Sequence, residues 1–216
     1  MRSNMKYISF RMIICALVSV LMLVSCSSAP AGYKKYDNRD AEFYIVYPDE
    51  WEIRSYEGSV VNFFSPVEDA EDKFFENVGV VTIPLIGYDL NDDGLSDEIS
   101  LEQYISFSQA EIGMYIEDYA ELEAKDIEIG GIKAKRLVYT GKEKVSEDDE
   151  EEADPSEENG EEPASDTEES ITYKWIQVIA IHDEVAYIIT LTSLIDSNEM
   201  YMAMFDKMIE HCRIGA

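Results

Sequence analysis

The sequence predicts an α+β domain, an antiparallel β-sheet flanked by helices. Short runs of β-branched and aromatic residues, each closed off by Gly, Pro or Asp, recur through most of the chain. They are joined by short turns, which favours antiparallel pairing. Only two segments show the three-and-four-residue apolar spacing of an amphipathic helix. The residues that carry this pattern, roughly 36–140 and 171–216, number about 151, enough for one domain with a proper core.

Residues 1–25 come first and read as a secretory signal peptide. Arg2, Lys6 and Arg11 give a positive start, and Met12–Val24 is a 13-residue apolar stretch. A membrane-spanning helix would need about 20 apolar residues. Residues 26–35, made of Ser, Ala, Pro and Gly with two lysines, read as a flexible tether to a domain over 36–216.

Within that domain Phe43–Tyr47, Val60–Phe64 and Val78–Ile86 read as strands. A helix follows, opened by a capping box of Ser100 with Gln103. Its apolar face holds Leu101, Tyr104, Ile105, Ile112, Tyr115, Ile116, Tyr119 and Leu122, with acidic residues opposite. Gly130-Gly131 joins Ile127–Ile129 to Ile132–Tyr139 as a tight hairpin, and His182-Asp183-Glu184 joins Trp175–Ile181 to Val185–Thr192. Between these hairpins residues 142–170 form an acidic insertion, with 15 Asp or Glu between Glu143 and Glu169 and no aromatic residue. Such a composition cannot bury enough apolar surface to offset ordering, and it reads as disordered. It separates two strand-like runs, so an expanded hairpin loop is expected. A second helix over about Asn198–Arg213 presents Tyr201, Met204, Phe205, Met208, Ile209 and Cys212 on one stripe.

Several local patterns together resemble the PsbP family. They are Phe43-x-Ile45-x-Tyr47-Pro48-x-x-Trp51, then Val61-Asn62-Phe63-Phe64-Ser65-Pro66, Asn77-Val78-x-Val80, the helix start Ser100-Leu101-Glu102-Gln103-Tyr104, the hairpin Gly131-Ile132-Lys133-Ala134, and a closing amphipathic helix. The resemblance covers the folded part in order. It implies an α-β-α sandwich and a non-catalytic role in binding another protein. Together with the N-terminus, it is similar to the PsbP-like lipoproteins of non-photosynthetic bacteria.

That N-terminus carries Leu23-Val24-Ser25-Cys26, which resembles a bacterial lipobox. The resemblance implies a diacylglyceryl group on the Cys26 thiol, palmitate-type chains, and cleavage before Cys26. Two or three acyl chains at about 0.8 kcal/mol per buried methylene anchor a protein without a spanning helix. The expected location is therefore extracytoplasmic, on the outer face of the cell membrane, or the outer membrane of a diderm. An ordinary signal peptide cut near Ala29 or Ala31 is the alternative. Removing residues 1–25 takes three basic and no acidic residues, so the formal charge moves from −29 to −32. Nucleic acid is excluded as a partner on this charge, whereas a basic envelope protein is compatible with it. Cys15 leaves with the signal and Cys26 is lipidated, so Cys212 has no disulfide partner and reads as a buried structural thiol.

One loop has the chemistry of a metal site. In Asp89-Leu90-Asn91-Asp92-Asp93-Gly94-Leu95-Ser96-Asp97, oxygen ligands fall at positions 1, 3, 5 and 9 of an EF-hand-type loop. Asp89, Asn91, Asp93 and Asp97 are thus candidate Ca²⁺ ligands, with the Leu95 carbonyl at position 7 and Gly94 at the sharp turn. Position 12, where a bidentate acid belongs, is Ser100, so Glu98 or Glu102 would have to serve. The competing reading is an Asn-Asp-Gly turn running into a helix cap. No cofactor other than this calcium is implied.

Catalytic patterns are sparse. His182 reads as an exposed turn residue, and His211 as a complement to a helix C-terminus. Too few His and Cys are present for a zinc site, and no nucleophile elbow, phosphate loop or dinucleotide fingerprint occurs. Trp51, Trp175 and the tyrosines at 33, 36, 44, 47 and 56 read mostly as core or sheet-face residues. Three readings stay open: a lipid-anchored interaction module, a calcium-binding surface protein, and an envelope enzyme with an illegible site.

Overall fold

The β-branched and aromatic runs do form strands, and their pairing builds two sheets. The computed structural model describes residues 29–67, 72, 74–87, 97–143 and 171–215. The chain divides into units Met1–Ala31 and Gly32–Ala216, and the second holds every described element. In order these are β1 (Tyr33–Asn38), β2 (Phe43–Pro48), β3 (Glu52–Arg54), β4 (Val61–Phe64), β5 (Asn77–Pro84), α1 (Leu101–Tyr115), β6 (Ile116–Ile129), β7 (Ile132–Glu143), β8 (Tyr173–His182), β9 (Val185–Leu194), α2 (Asn198–Glu210) and β10 (Arg213–Ile214). The larger sheet runs β3-β4-β5-β9-β8-β7-β6 and the smaller β1-β2-β10, all pairs antiparallel.

Alternation along the strands gives the large sheet two apolar faces. Val80, Ile189, Val178 and Val138 face one way, into a core shared with Phe43 and Ile45 of β2 and with Tyr201, Phe205 and Met208 of α2. Leu137, Tyr139 and Ile179 face the other way, beneath Leu101, Tyr104, Ile105 and Ile112 of α1. The two helices therefore cover opposite faces, an α-β-α sandwich. The predicted capping box opens α1: Gln103 N donates to Ser100 Oγ at 3.3 Å and Ser100 N to Gln103 Oε1 at 3.0 Å.

Both tight hairpins form as expected. Gly130 and Gly131 have φ of 57° and 91°, and Asp183 and Glu184 have 47° and 58°, the left-handed pair of a type I′ turn that matches strand twist. His182 is thus the last residue of β8, and the turn proper is Asp183-Glu184.

The boundaries differ from the sequence reading in three places. The helix stripe was expected to run to Leu122, but α1 ends at Tyr115 and Ile116 starts β6. Register shifts between Glu117 and Ala120, and between Glu121 and Glu123, mark bulges in β6. A bulge changes which face a residue meets, so Ile116 and Tyr119 pack into one cluster at a three-residue spacing that imitates a helix. Leu122 stays exposed. As an edge strand β6 is protected by charge, through ion pairs of Asp118 with Lys142 at 2.9 Å, Asp126 with Lys135 at 2.7 Å, and Glu123 with Arg136. Second, Tyr33–Lys35 of the tether already belong to β1, because Lys34 pairs in register with Tyr47 and Tyr33 packs on the main core. Third, β7 continues through Lys142 and Glu143, and the chain after α2 returns as β10 on β2.

Gly141 pairs with Tyr173 across β7 and β8, so residues 144–170 connect two neighbouring strands, as expected of an expanded hairpin. Closure entropy rises by roughly 0.6 kcal/mol per doubling of loop length. Replacing 144–170 by an Asn-Gly turn removes nearly four doublings, about 2 kcal/mol of closure cost, and a thermal melt is expected to stay cooperative with a Tm a few degrees higher. Loss of the single sharp transition would show that the segment contributes to the core.

Candidate functional site

The sandwich has two ends of opposite chemistry. At one, β5 and β8 finish while β9 and α1 begin, and Leu85 N donates to Glu184 O at 2.7 Å. Here Asp97, Glu98, His182, Asp183 and Glu184 line a cavity of about 490 Å³ floored by Leu85, Ile99 and Ile181. Asp97 is the one side-chain ligand of the expected calcium loop within the described residues, and it is half-buried. Asp89, Asn91, Asp93 and Leu95 lie outside them, as does Cys26. Ser100 uses its hydroxyl to cap α1, which fits the turn-and-cap reading of that position. Among the described residues no three His, Cys, Asp or Glu side chains converge to hold a metal ion. A neighbouring groove of about 510 Å³ runs between β5 and α1, lined by Ile83, Leu85, Ile99, Tyr104, Phe107 and Ala110.

The other end collects the finish of β4, β7, β9 and α1 and the start of β5, β6, β8 and α2. Aromatic rings cross the sheet there in a row, Phe74 to Tyr173 at 5.2 Å, Tyr173 to Trp175 at 5.6 Å, Trp175 to Tyr139 at 5.4 Å and Tyr139 to Tyr119 at 5.5 Å. Contacts of this kind contribute beyond area burial. Near the ends of the elements that finish or start here, Val67, Met114, Tyr115, Ile171, Ile195 and Met200 are 47–71% exposed. Ile195 N donates to Thr172 O at 3.3 Å, which continues the β8–β9 pairing one residue beyond Tyr173 and Leu194. Also at this end is Glu76, only 3% exposed. Ser197 Oγ donates to Glu76 Oε1 at 2.5 Å, and Ser65 Oγ lies 3.5 Å from Oε2. Ser197 is the residue before α2, so the carboxylate sits at the positive end of that helix.

This apolar end was missed in the sequence because its residues come from separate segments, and a lone exposed Ile or Met carries no signal. Of the aromatics singled out there, Tyr47 and Trp51 are core while Tyr56 is exposed. Trp175, half-buried, belongs to the aromatic row.

The histidines and the cysteine are placed separately. His182 Nε2 lies 3.6 Å from Asp183 Oδ2, and its ring packs so closely on Gly215 that a Cβ there would come within 2.1 Å. His211 Nδ1 lies 3.2 Å from Lys207 O in the last turn of α2, the helix-terminus position expected of it. Cys212 is buried, and desolvation pushes its thiol up to about 12. Burial likewise raises the phenols of Tyr139 and Tyr187 above the ordinary value of 10.0. Each raised group holds its proton longer folded than unfolded, so its contribution is complete below the unfolded pKa and is lost as pH rises through the folded one. Urea midpoints are expected to be flat from pH 7 to about 9 and to fall above it, and Cys212 should resist alkylation until unfolding; a midpoint rising toward pH 11 would contradict the assignment.

No family model and no curated protein sequence matches the chain. Among solved structures, cyanobacterial PsbP (CyanoP) from Synechocystis aligns over 89% of this chain and 98% of its own, with a TM-score of 0.52 at 15% identity. The fold is PsbP-like. LpqN, described as involved in cell envelope biogenesis of Mycobacterium tuberculosis, also matches, with 84% of this chain and 90% of that one aligned, a TM-score of 0.50 and 13% identity. The expected family architecture, a sheet between two helices, is thus the one observed. No described helix is long and apolar enough to cross a membrane.

Proposed function

We propose that the chain is a lipid-anchored, non-catalytic PsbP-like interaction module of the bacterial cell envelope, held by Cys26 and binding another envelope protein. The observation that carries this reading is the row of aromatic rings at one end of the sandwich, the end at which Ile, Met and Tyr near the element termini are exposed. Aromatic and Met side chains are enriched at the cores of protein interfaces. The envelope role described for LpqN, which shares the fold, supports the location. Metabolic labelling with an alkyne palmitate is expected to mark the wild type and not Cys26→Ala, which should leave the membrane fraction. A Cys26→Ala protein that stays membrane-bound would refute the anchor.

A calcium-binding role is the second reading, favoured by the acidic cavity into which Asp97 opens. In it the ion orders the turn before α1, drawing on Asp97 and on Asp89, Asn91 and Asp93 of the same loop. Millimolar Ca²⁺ is then expected to raise the melting temperature, and Asp89→Ala with Asp93→Ala to remove the rise; an unchanged wild-type melt rejects this reading.

A further inference from the structure

Side chains of register partners stand on one face of a sheet, and one such row crosses the large sheet as Asn62, Gly79, Thr190, Gln177 and Leu137. Leu137 packs beneath α1, which fixes the face. Asn77 pairs with Thr192 in the adjoining row on the same face. On β4, β5 and β9 the members of these rows, Asn62, Asn77, Gly79, Thr190 and Thr192, are half-buried. The carboxamides here spend their NH2 groups within the protein: Asn62 Nδ2 donates to Ser59 Oγ at 2.7 Å, Asn77 Nδ2 to Phe75 O at 3.2 Å and Gln177 Nε2 to Thr190 Oγ1 at 3.2 Å. Their carbonyl oxygens, which only accept, are left. Asn62 Oδ1 lies over Gly79, 3.0 Å from where a Cβ would stand. Gln177 is 9% exposed, and its buried Oε1 has no hydrogen-bond partner among the described residues. Gly79 and Thr190 are register partners, so the amides of Asn62 and Gln177 lean toward each other over strands about 5 Å apart.

We propose that this place binds a small primary alkylamine, its ammonium group donating to Asn62 Oδ1, Thr190 Oγ1 and Gln177 Oε1. An ammonium offers three donors and no acceptor, the complement of a floor whose amide donors are already spent. A buried acceptor without a partner is what such a donor relieves. Val81 and Ile188 pair one step further along the same face and are half-buried. They lie about 7 Å on, roughly the length of a five-carbon chain, and give the alkyl part an apolar bed. Arg54, at the β3 edge, is stacked on Phe64 at 4.5 Å and ion-paired with Glu52 at 3.1 Å, so its charge is met. The chain's net charge of −29 favours a cation. Size selects a small ligand over a protein: the half-buried positions cover roughly 160 Å² at the spacing of strands and residues, against about 800 Å² per partner in a protein interface. The assignment goes beyond the interaction-module reading and is independent of it.

The test titrates the full chain with n-pentylamine and follows the side-chain amide NMR signals of Asn62 and Gln177 and the backbone amide of Gly79. Saturable shifts are expected at all three with millimolar amine. Pentyltrimethylammonium, which has the charge but no N–H, and 1-pentanol, which has a hydroxyl but no charge, are expected to bind at least tenfold more weakly. Asn62→Ala and Gln177→Leu should each weaken pentylamine at least tenfold, read at Gly79. Gln177→Leu should also melt no lower than the wild type, because exchanging an unpaired buried amide for an apolar side chain of similar size is neutral or stabilising. Absence of a saturable shift with pentylamine overturns the proposal. Equal binding of pentyltrimethylammonium would show diffuse charge attraction, and equal binding of pentanol a neutral hydroxyl site; either overturns it. So does unchanged affinity in Gln177→Leu, or in Asn62→Ala should the former fail to fold. None of these failures touches the interaction-module reading, which makes no use of Asn62 or Gln177.

Discussion

Phe63→Ala is expected to cost about 3–5 kcal/mol of unfolding free energy, the range for deleting a buried aromatic ring. Phe63 is fully buried, stacked on Tyr47 at a centroid distance of 4.7 Å and edge-on to Tyr36 at 5.7 Å. The residue thus joins β4 of the large sheet to β1 and β2 of the small one, and its loss opens a cavity bounded by rigid rings on two sides. Such a site collapses poorly, which favours the upper part of the range. For a domain of this size each kcal/mol moves Tm by roughly 2–4 °C, so a drop on the order of 10 °C should be seen by calorimetry. Phe63→Leu should recover more than half of it, because an aliphatic side chain refills most of the volume. Ile53→Ala, at the residue paired with Phe63 but 39% exposed, should cost under about 1 kcal/mol. Equal losses at positions 53 and 63 would contradict the placement of the core.

The strands around Phe63 were legible because burial and alternation leave a local trace. Phe43, Ile45 and Tyr47 alternate toward one core, and Gly130-Gly131 can serve only as a tight turn at the φ values it has. Local sequence failed where two structures share one spacing. Ile116 and Tyr119 suit a helix stripe and equally a bulged strand, and the choice falls to a distant residue, Gly141. A Cβ at Gly141 would stand 2.2 Å from Ile116 Cγ2 and 2.8 Å from Glu117 O, so the strand fits only because that position lacks a side chain. The acidic cavity was half legible: Asp97 follows from the loop motif, whereas its meeting with Asp183 and Glu184 depends on which strands are neighbours. The apolar end was illegible for the same reason in stronger form, since β-pairing between residues far apart in sequence brings its parts together.

Glu76 shows how that end is kept in shape, and its removal should be felt beyond stability. Its carboxylate accepts from Ser197 at the start of α2 while its backbone oxygen accepts from Ser65 N at 2.8 Å. It therefore ties the segment between β4 and β5 to the turn that carries Ile195 and Met200. Hydrogen bonds to a charged group contribute about 1.5–3 kcal/mol, and truncation adds a cavity, so Glu76→Ala should lose about 2–4 kcal/mol. Glu76→Gln keeps the shape and an acceptor oxygen but loses the charge at the helix N-terminus, worth up to about 2 kcal/mol when partly buried, and should fall in between. The distinguishing readout is local. In Glu76→Ala, hydrogen exchange should quicken first at the amides following Ser197 and around Ser65, while the β8–β9 ladder exchanges as in the wild type once corrected for global stability. If the loss were spread evenly over both sheets, Glu76 would be one more buried group of the core. If it is confined to this end, Glu76 acts as the tie between the start of α2 and the segment before β5, and the rest of both sheets stands without it.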